Sequence, residues 1–321
     1  MYFSIRHITI FNYSTPVSQS VMEVRKQPRT EGIQQCISFK LLVQPHAQVM
    51  GYRDYQGNIV HHFDIPKHHN QLTITAESYV EMEQPLLLPE TLGDNAWEHI
   101  DNQPKSAELW DCLMPSQFVR ETPLLRELAQ ELRVERRGDP LHLLHEINSA
   151  IYEHFDYEPK STNVDSPIDD ALTSRKGVCQ DFAHIMLALL RPLGIPCRYI
   201  SGYLARYSDD HARSAPDASH AWIEAHLPGL GWVGFDPTNN QIAGQYHIRV
   251  AAGRDYADVP PTRGVYKGNG VNELKVAVQV RHSDELPPHD ELVTSSQWIV
   301  YSAPPETSLN QRRIQEQQQQ Q

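Results

Sequence analysis

Three residues of the types used in nucleophilic catalysis occur in order within one stretch of the chain. Cys179 precedes an apolar run, His220 lies in the segment SHAWIEAHL, and Asp236 follows the segment GWVGF. In such a unit a thiol attacks a carbonyl carbon, a histidine moves the proton, and an acidic group orients the imidazole. Simpler interpretations stay open, because buried cysteines often only pack and an Asp before Pro often only forms a turn.

The element that must position Cys179 is a helix. Apolar residues recur at helical spacing from Phe182 to Leu190, and small or apolar residues fill most of the positions between them. A helix that is apolar on nearly all sides is buried, and Gly194 and Pro196 are expected to end it. Cys179 is therefore predicted at the N-terminal end of a central buried helix. At such an end, unpaired N–H groups and the helix dipole favour a thiolate.

The elements that must position His220 and Asp236 are strands. The segment 196–206 is predicted to leave the helix as a strand. Residues 220–227 alternate between apolar and polar types, which is typical of a strand, and residues 228–231 are predicted to form a turn. The return strand, residues 232–235, then ends at Asp236.

The register of this hairpin decides whether His220 meets Asp236, and the sequence leaves it open. A pairing of Leu227 with Trp232 would put His220 opposite Asn239. The contact between His220 and Asp236 is therefore permitted but not fixed by the spacing.

Four segments resemble the transglutaminase-like superfamily of papain-type cysteine enzymes: GVCQDFAH, LGIPCRYISGYL, SHAWIEAHLPGLGW and GFDPTN. The likeness is strongest to the bacterial branch, whose members are often described as cysteine proteases, and it covers roughly residues 147–240. It implies that Cys179 is the nucleophile, His220 the base and Asp236 the orienting group. It also implies an α+β core, with the nucleophile on a central helix packed on an antiparallel sheet.

An oxyanion hole should stabilise the tetrahedral intermediate formed by such an enzyme. The backbone N–H of Cys179 is the natural first donor. Candidates for a second donor or for the cleft are Gln180, Tyr157 and Trp222. Gln180 could instead solvate a helix end, and Tyr157 could simply belong to the core.

Composition narrows the class of protein. The chain has 321 residues, a formal net charge of −12 and 40% hydrophobic residues, so we expect a folded protein that does not bind nucleic acid. Its four cysteines are scattered without CxxC pairs, so neither a disulfide framework nor a zinc site is expected, and no other metal or cofactor is predicted. With no long apolar run, we predict a soluble, cytoplasmic protein without a membrane partner, and leave its oligomeric state open.

The chain divides into five predicted regions: an N-terminal antiparallel β-sandwich domain (1–84), a connection (85–120), the catalytic core (121–255), C-terminal strands (256–303) and a disordered Gln-rich tail (304–321). Alternating strands and turn signals favour the sandwich. The phrases HITIFNYSTPV and DYQGNIVHHFDI resemble the N-terminal β domain of the same bacterial family. The C-terminal strands are expected to pack on either the core or the N-terminal domain.

These features predict a cysteine-dependent enzyme that transfers an acyl group from a peptide or protein substrate through a thioester. Hydrolysis of a peptide or amide bond is the preferred reaction, by analogy with the bacterial family. Transfer of the acyl group to an amine, as a transglutaminase does, is the alternative, because the triad chemistry is the same. A second alternative is a non-catalytic binding or scaffold protein on this fold. The presence of all three residues argues against this alternative.

Overall fold

A computed structural model describes residues 1–85, 87–103, 106–205, 213, 218–283 and 285, and the backbone of 312–315. The strands are β1 (Tyr2–Val17), β2 (Gln19–Val24), β3 (Gln34–Gln44), β4 (Met50–Arg53), β5 (Ile59–Ile65), β6 (His69–Met82), β7 (Asp156–Tyr157), β8 (Lys176–Gly177), β9 (Cys197–Leu204), β10 (Ser219–Leu227), β11 (Gly231–Asp236), β12 (Gln241–Ala243), β13 (His247–Gly253), β14 (Thr262–Lys267), β15 (Asn272–Ser283) and β16 (Arg312–Gln315). The helices are α1 (Ala96–Asp101), α2 (Ala107–Asp111), α3 (Pro123–Glu131), α4 (Pro140–His154), α5 (Ile168–Ser174) and α6 (Cys179–Leu190).

The chain forms two compact units. The first combines Met1–Glu83 with the described residues from Pro260 onward, and the second is Gln84–Val259. The first unit contains two antiparallel sheets, with strand orders β15-β1-β6-β3 and β16-β14-β2-β5-β4. Side chains of both sheets share one core, to which Phe11, Met22, Phe63 and Leu72 belong. Residues along β1 alternate between buried and more exposed positions, as expected for a strand with one face on that core.

The second unit is built on one antiparallel sheet of order β12-β11-β10-β9-β13. Helix α6 lies against this sheet, and all twelve of its residues are buried. Its large apolar side chains share a core with inward-facing residues of β10, such as Ile223 and Leu227, and with residues of α3, α4 and α5. The predicted α+β core with a central helix on an antiparallel sheet is thus the observed architecture.

Helix starts in the second unit follow the capping residues in the sequence. Thr122 Oγ1 accepts a hydrogen bond from the N–H of Leu125 at 3.1 Å, and Pro123 begins α3. The carboxylate of Asp139 accepts from the N–H of Leu141 at 2.8 Å in the same way at α4. Both caps satisfy N–H groups that have no partner within the helix. Each helix thus begins one residue after its capping side chain.

Other regions differ from the sequence predictions. The segment 85–120 belongs to the second unit rather than standing as a connection: it contains α1 and α2, and Ile100, Phe118 and Val119 lie in the core. Strands β14 and β15 pair with β2 and β1, so the C-terminal strands belong to the first unit. Of the tail predicted to be disordered, only Arg312–Gln315 is described, and it forms β16. Residues 286–303 of the predicted C-terminal strands lie outside the described residues.

Within the described part of the chain, no helix combines the length and the apolar character needed to cross a membrane.

Candidate active site

Cys179 is the first residue of α6, and the geometry of the helix start is fixed by a neighbouring carboxylate. The side chain of Asp181 accepts a hydrogen bond from the N–H of Val178 at 2.8 Å and another from the hydroxyl of Thr162 at 2.5 Å. Gly177 precedes this turn because a Cβ there would lie 3.0 Å from the Asp181 side chain. Cys179 is 1% exposed, and its position at the helix start places its thiol at the positive end of the helix dipole.

The hairpin register brings His220 and Asp236 together. Leu227 pairs with Gly231 and Ile223 with Phe235, so a continuation of the pairing would set residue 222 opposite Asp236. His220 is two residues further along the same face and is therefore a diagonal neighbour of Asp236. His220 Nε2 lies 2.8 Å from Asp236 Oδ2.

The pairing differs by one residue from the one considered in the sequence. The turn occupies residues 228–230, with Gly229 and Gly231 at positive φ of 76° and 71°. Glycine adopts this backbone region readily, and the short loop sets the register.

Asp236 is fully buried and accepts hydrogen bonds at both oxygens. Oδ1 accepts from the N–H groups of Thr238 at 3.0 Å and Asn239 at 3.3 Å. Oδ2 accepts from His220, from Asn239 Nδ2 at 2.7 Å and from His247 Nε2 at 3.2 Å. Burial alone would raise the pKa of Asp236, but the charge and hydrogen bond of His220 and the hydrogen bond of His247 hold it well below its usual range. Asp236 is therefore a carboxylate.

His220 is the link between Asp236 and Cys179. Burial lowers the pKa of His220, but the charge and hydrogen bond of Asp236, together with the thiol of Cys179, raise it to about 10. Since Nε2 faces Asp236, Nδ1 is the ring nitrogen left for Cys179. The imidazole thus carries its proton across neutral pH and lies between a sulfur atom and a carboxylate.

The other predicted cleft residues are placed less favourably for contact with a substrate. Gln180 is 3% exposed, and its amide donates to the backbone oxygen of Val164 at 3.0 Å, so it ties α6 to the preceding loop. Tyr157 is half-buried, pairs with Gly177 through β7 and β8, and packs against the core.

Trp222 is fully buried. Its ring lies over Gly202, where a Cβ would be 2.6 Å from the indole, and its centroid is 6.1 Å from that of His220. Trp222 therefore packs beneath the histidine instead of lining a cleft. Strand alternation puts Trp222 on the same face as His220 but deeper in the sheet.

Two further residues bond Asp236 and were not among the predicted site residues. His247 on β13 shares Asp236 Oδ2 with His220, and Asn239 bonds the same oxygen while accepting from the N–H of Arg213 at 2.8 Å. Asn239 was visible only as part of the GFDPTN motif. His247 could not be placed without the pairing of β13 with β9.

The side-chain atoms of His220, Asp236 and His247 lie within 4.8 Å of one another and could in principle ligate a metal ion. The two nitrogen-to-oxygen distances are 2.8 and 3.2 Å, which are hydrogen-bond lengths, and each contact pairs an imidazole nitrogen with a carboxylate oxygen. Hydrogen bonding therefore accounts for the cluster without an ion.

Comparisons with known proteins follow the two units. A family model described as "Transglutaminase-like superfamily" matches residues 126–237. A second model, described as "Bacterial transglutaminase-like N-terminal region", matches residues 3–81. An uncharacterized protein of Mycobacterium leprae is 34% identical over 276 residues, which are 85% of this chain and 96% of that protein.

Two further relatives carry names that describe an activity. A protein-glutamine gamma-glutamyltransferase of Pseudomonas aeruginosa is 30% identical over 175 residues, 48% of this chain but only 25% of that protein. A crystal structure from Cytophaga hutchinsonii, named as a "putative cysteine protease", superimposes with a TM-score of 0.68 at 22% identity and covers 89% of this chain and 93% of its own. At that identity the likeness shows the fold alone. From the family matches and the Mycobacterium leprae relative together, the chain belongs to the bacterial branch of the transglutaminase-like superfamily.

Proposed function

We propose that this protein is a cysteine-dependent acyl-transfer enzyme that works through a thioester on Cys179. His220 moves protons to and from the reacting groups, and Asp236 orients His220. The observation that carries the proposal is the position of His220, 2.8 Å from the Asp236 carboxylate and with a pKa raised by both Asp236 and Cys179. A buried histidine held between a thiol and a carboxylate is the arrangement that activates a sulfur nucleophile.

In the first half-reaction the sulfur of Cys179 attacks the carbonyl carbon of an amide, and a carbon–sulfur bond forms. The carbon–nitrogen bond then breaks as His220 gives its proton to the leaving amine. The backbone N–H of Cys179, at the start of α6, is the donor we assign to the developing oxyanion. In the second half-reaction an acceptor attacks the thioester, His220 takes the acceptor's proton, and the thiolate of Cys179 leaves.

The acceptor distinguishes two reactions. If the acceptor is water, the enzyme hydrolyses a peptide or amide bond, and we favour this reaction by analogy with bacterial relatives that are described as proteases. If the acceptor is a primary amine, the product is a new amide. The similarity to the protein-glutamine gamma-glutamyltransferase of Pseudomonas aeruginosa keeps this second reaction a candidate.

One pair of assays separates these reactions. Release of peptides from casein measures hydrolysis, and incorporation of dansylcadaverine into N,N-dimethylcasein measures transfer to an amine. We expect Cys179→Ala to abolish whichever activity the wild type shows while it leaves the melting temperature within a few degrees. Turnover that survives in this variant would rule out Cys179 as the nucleophile.

A labelling experiment tests activation of the thiol without a known substrate. Burial raises the pKa of Cys36, Cys112 and Cys197 to about 12, 11 and 12, so these three thiols are internal references that stay protonated at pH 7. We expect iodoacetamide to label Cys179 fastest of the four in the wild type, and much more slowly in His220→Ala. Equal labelling of Cys179 in both proteins would favour the non-catalytic scaffold.

A further inference from the structure

A second histidine shares the carboxylate oxygen that orients His220. His247 is 3% exposed, and its Nε2 lies 3.2 Å from Asp236 Oδ2. It comes from β13, which is separated from β10 by β9 in the sheet. The two imidazole centroids are 6.2 Å apart, and the Trp222 ring packs against both, edge-on to His247 at 5.2 Å.

The backbone of β9 allows His247, on β13, to lie within hydrogen-bond distance of Asp236. Gly202 lies on β9 between the two histidines: it pairs with His220 on one side and with Arg249, two residues after His247, on the other. A Cβ at Gly202 would lie 2.2 Å from the backbone oxygen of Ile248 and 2.6 Å from the Trp222 ring. Only a residue without a side chain lets the Trp222 ring lie across β9 beside both histidines.

The tautomer of His247 follows from its second nitrogen. The N–H of Gly244 donates to His247 Nδ1 at 3.3 Å. A backbone N–H can only donate, so Nδ1 is an acceptor and the ring proton of a neutral imidazole must be on Nε2. His247 Nε2–H then donates to Asp236, which as a carboxylate can only accept.

The charge of His247 differs from that of His220. Burial lowers the pKa of His247, and the positive charges of His220 and Arg249 lower it further, against the raising effect of the hydrogen bond and charge of Asp236. Arg249 itself is bonded to the buried carboxylate of Glu224. One carboxylate therefore serves one imidazolium, on His220, and one neutral imidazole, on His247.

We propose that His247 is a positioning residue of this active site, whose neutral imidazole donates Nε2–H to Asp236 and keeps that carboxylate aimed at His220. The inference rests on the proposed function, because it assigns His247 a task within the same catalytic unit. His247 does not touch the reacting atoms and acts through Asp236 alone. Removal of its N–H leaves Oδ2 with two donors instead of three and weakens the hold on the orientation of the carboxylate toward His220.

Two substitutions separate the donor from the bulk of the ring. His247→Gln keeps an N–H donor at about the position of Nε2, whereas His247→Leu keeps volume and removes the donor. The matched control is His226→Leu, which removes a half-buried histidine that lies outside the site and bonds Gln103. We expect the rate of iodoacetamide labelling of Cys179 at pH 7 to fall on the order of 10-fold in His247→Leu. Labelling should stay within about threefold of wild type in His247→Gln and in the control.

Nitrogen-15 spectra of the histidine-labelled protein test the tautomer directly. The signals of His247 are those missing from the His247→Leu spectrum, and we expect them to report a neutral ring protonated at Nε2. Signals of an imidazolium or of a ring protonated at Nδ1 would overturn the inference, as would a His247→Leu protein that labels at the wild-type rate. Wild-type Cys179 that labels no faster than Cys112 would instead contradict the proposed function itself.

Discussion

At the scale of single residues, Asp236 sets the charge state of the site. It is buried, bonded by five N–H groups, and held ionised. Its negative charge in turn raises the pKa of His220 to about 10, against the effect of burial. A histidine with a raised pKa keeps its proton until the pH approaches that value, so under the proposed function the proton for the leaving amine is present throughout the neutral range.

The substitution Asp236→Asn tests this dependence. It removes the charge that raises the pKa of His220, while burial, which lowers that pKa, remains. We expect the alkaline limb of the pH profile of turnover, where His220 loses the proton that it gives to the leaving amine, to move from near pH 10 to lower pH. We also expect turnover to fall on the order of 10³- to 10⁴-fold. Asp258→Asn, which breaks an ion pair with Arg254 outside the site, should change neither quantity. An alkaline limb that stays near pH 10 in Asp236→Asn would show that Asp236 does not raise the pKa of His220.

The sequence predicts the residues of the site that stand in motifs and misses those that depend on pairing. Cys179, His220 and Asp236 are recognisable from the segments around them, and the structure brings His220 and Asp236 to 2.8 Å. His247 reaches Asp236 only through the order of β10, β9 and β13. That order is a long-range property, which alternation within one strand does not report. Trp222 is fully buried, and burial depth along a strand is likewise set by neighbours that the sequence does not show.

At the scale of elements, the start of α6 is capped by the carboxylate of Asp181, which is buried. Asp181 caps the helix through the Val178 N–H and bonds Thr162. Burial nevertheless raises the pKa of Asp181 from 3.8 to about 6, because these hydrogen bonds offset only part of the cost of burying its charge. The helix start that carries Cys179 is therefore less stable at neutral pH than an uncharged cap would make it.

The substitution Asp181→Asn measures that cost. A carboxyl whose pKa is raised on folding contributes stability that is fully present below pH 4 and is lost as the pH rises through about 6. Asn has an oxygen for the Val178 N–H and no charge. Between pH 4 and pH 7 we expect the free energy of unfolding of the wild type to fall by about 2–3 kcal/mol relative to Asp181→Asn.

Urea unfolding at several pH values, followed by tryptophan fluorescence, gives this difference. The exposed Asp165→Asn serves as control and should track the wild type at every pH. If the free energies of unfolding of wild type and Asp181→Asn differ by the same amount at pH 4 and pH 7, then ionisation of Asp181 does not destabilise the protein.

Elements marked by local signals are predictable, and those marked by tertiary contacts are not. The capping residues Thr122 and Asp139 mark the starts of α3 and α4, and the apolar run from Phe182 to Leu190 predicts α6. Helix α2 has five residues, none of them buried, so it shows no amphipathic period to read. The hairpin was predicted with its turn in place but with its register left open, because the positive-φ glycines that set the loop length are decided by backbone geometry.

At the scale of the whole molecule, the first unit is not continuous in sequence. Strand β15 pairs with β1 at twelve successive positions from Tyr2 to Tyr13, and β14 pairs with β2. Tyr266 and Leu274 from these two strands pack against the core of the first unit. The sequence predicted strands at both ends of the chain, but their partners are more than 200 residues away. The family match to residues 3–81 therefore covers only part of the folded unit.

Truncation after Val259 tests whether the first unit needs its C-terminal strands. Loss of β14 and β15 leaves β1 and β2 with unpaired N–H and C=O groups, and the shared core loses two side chains, so we expect residues 1–83 to unfold. Trypsin should then cut rapidly at the basic residues within 1–83, while fragments from residues 84–259 persist. A chain that ends at residue 283 retains β14 and β15 and serves as the control. Equal protection of residues 1–83 in both truncated chains would show that this part of the chain folds without its distant partners.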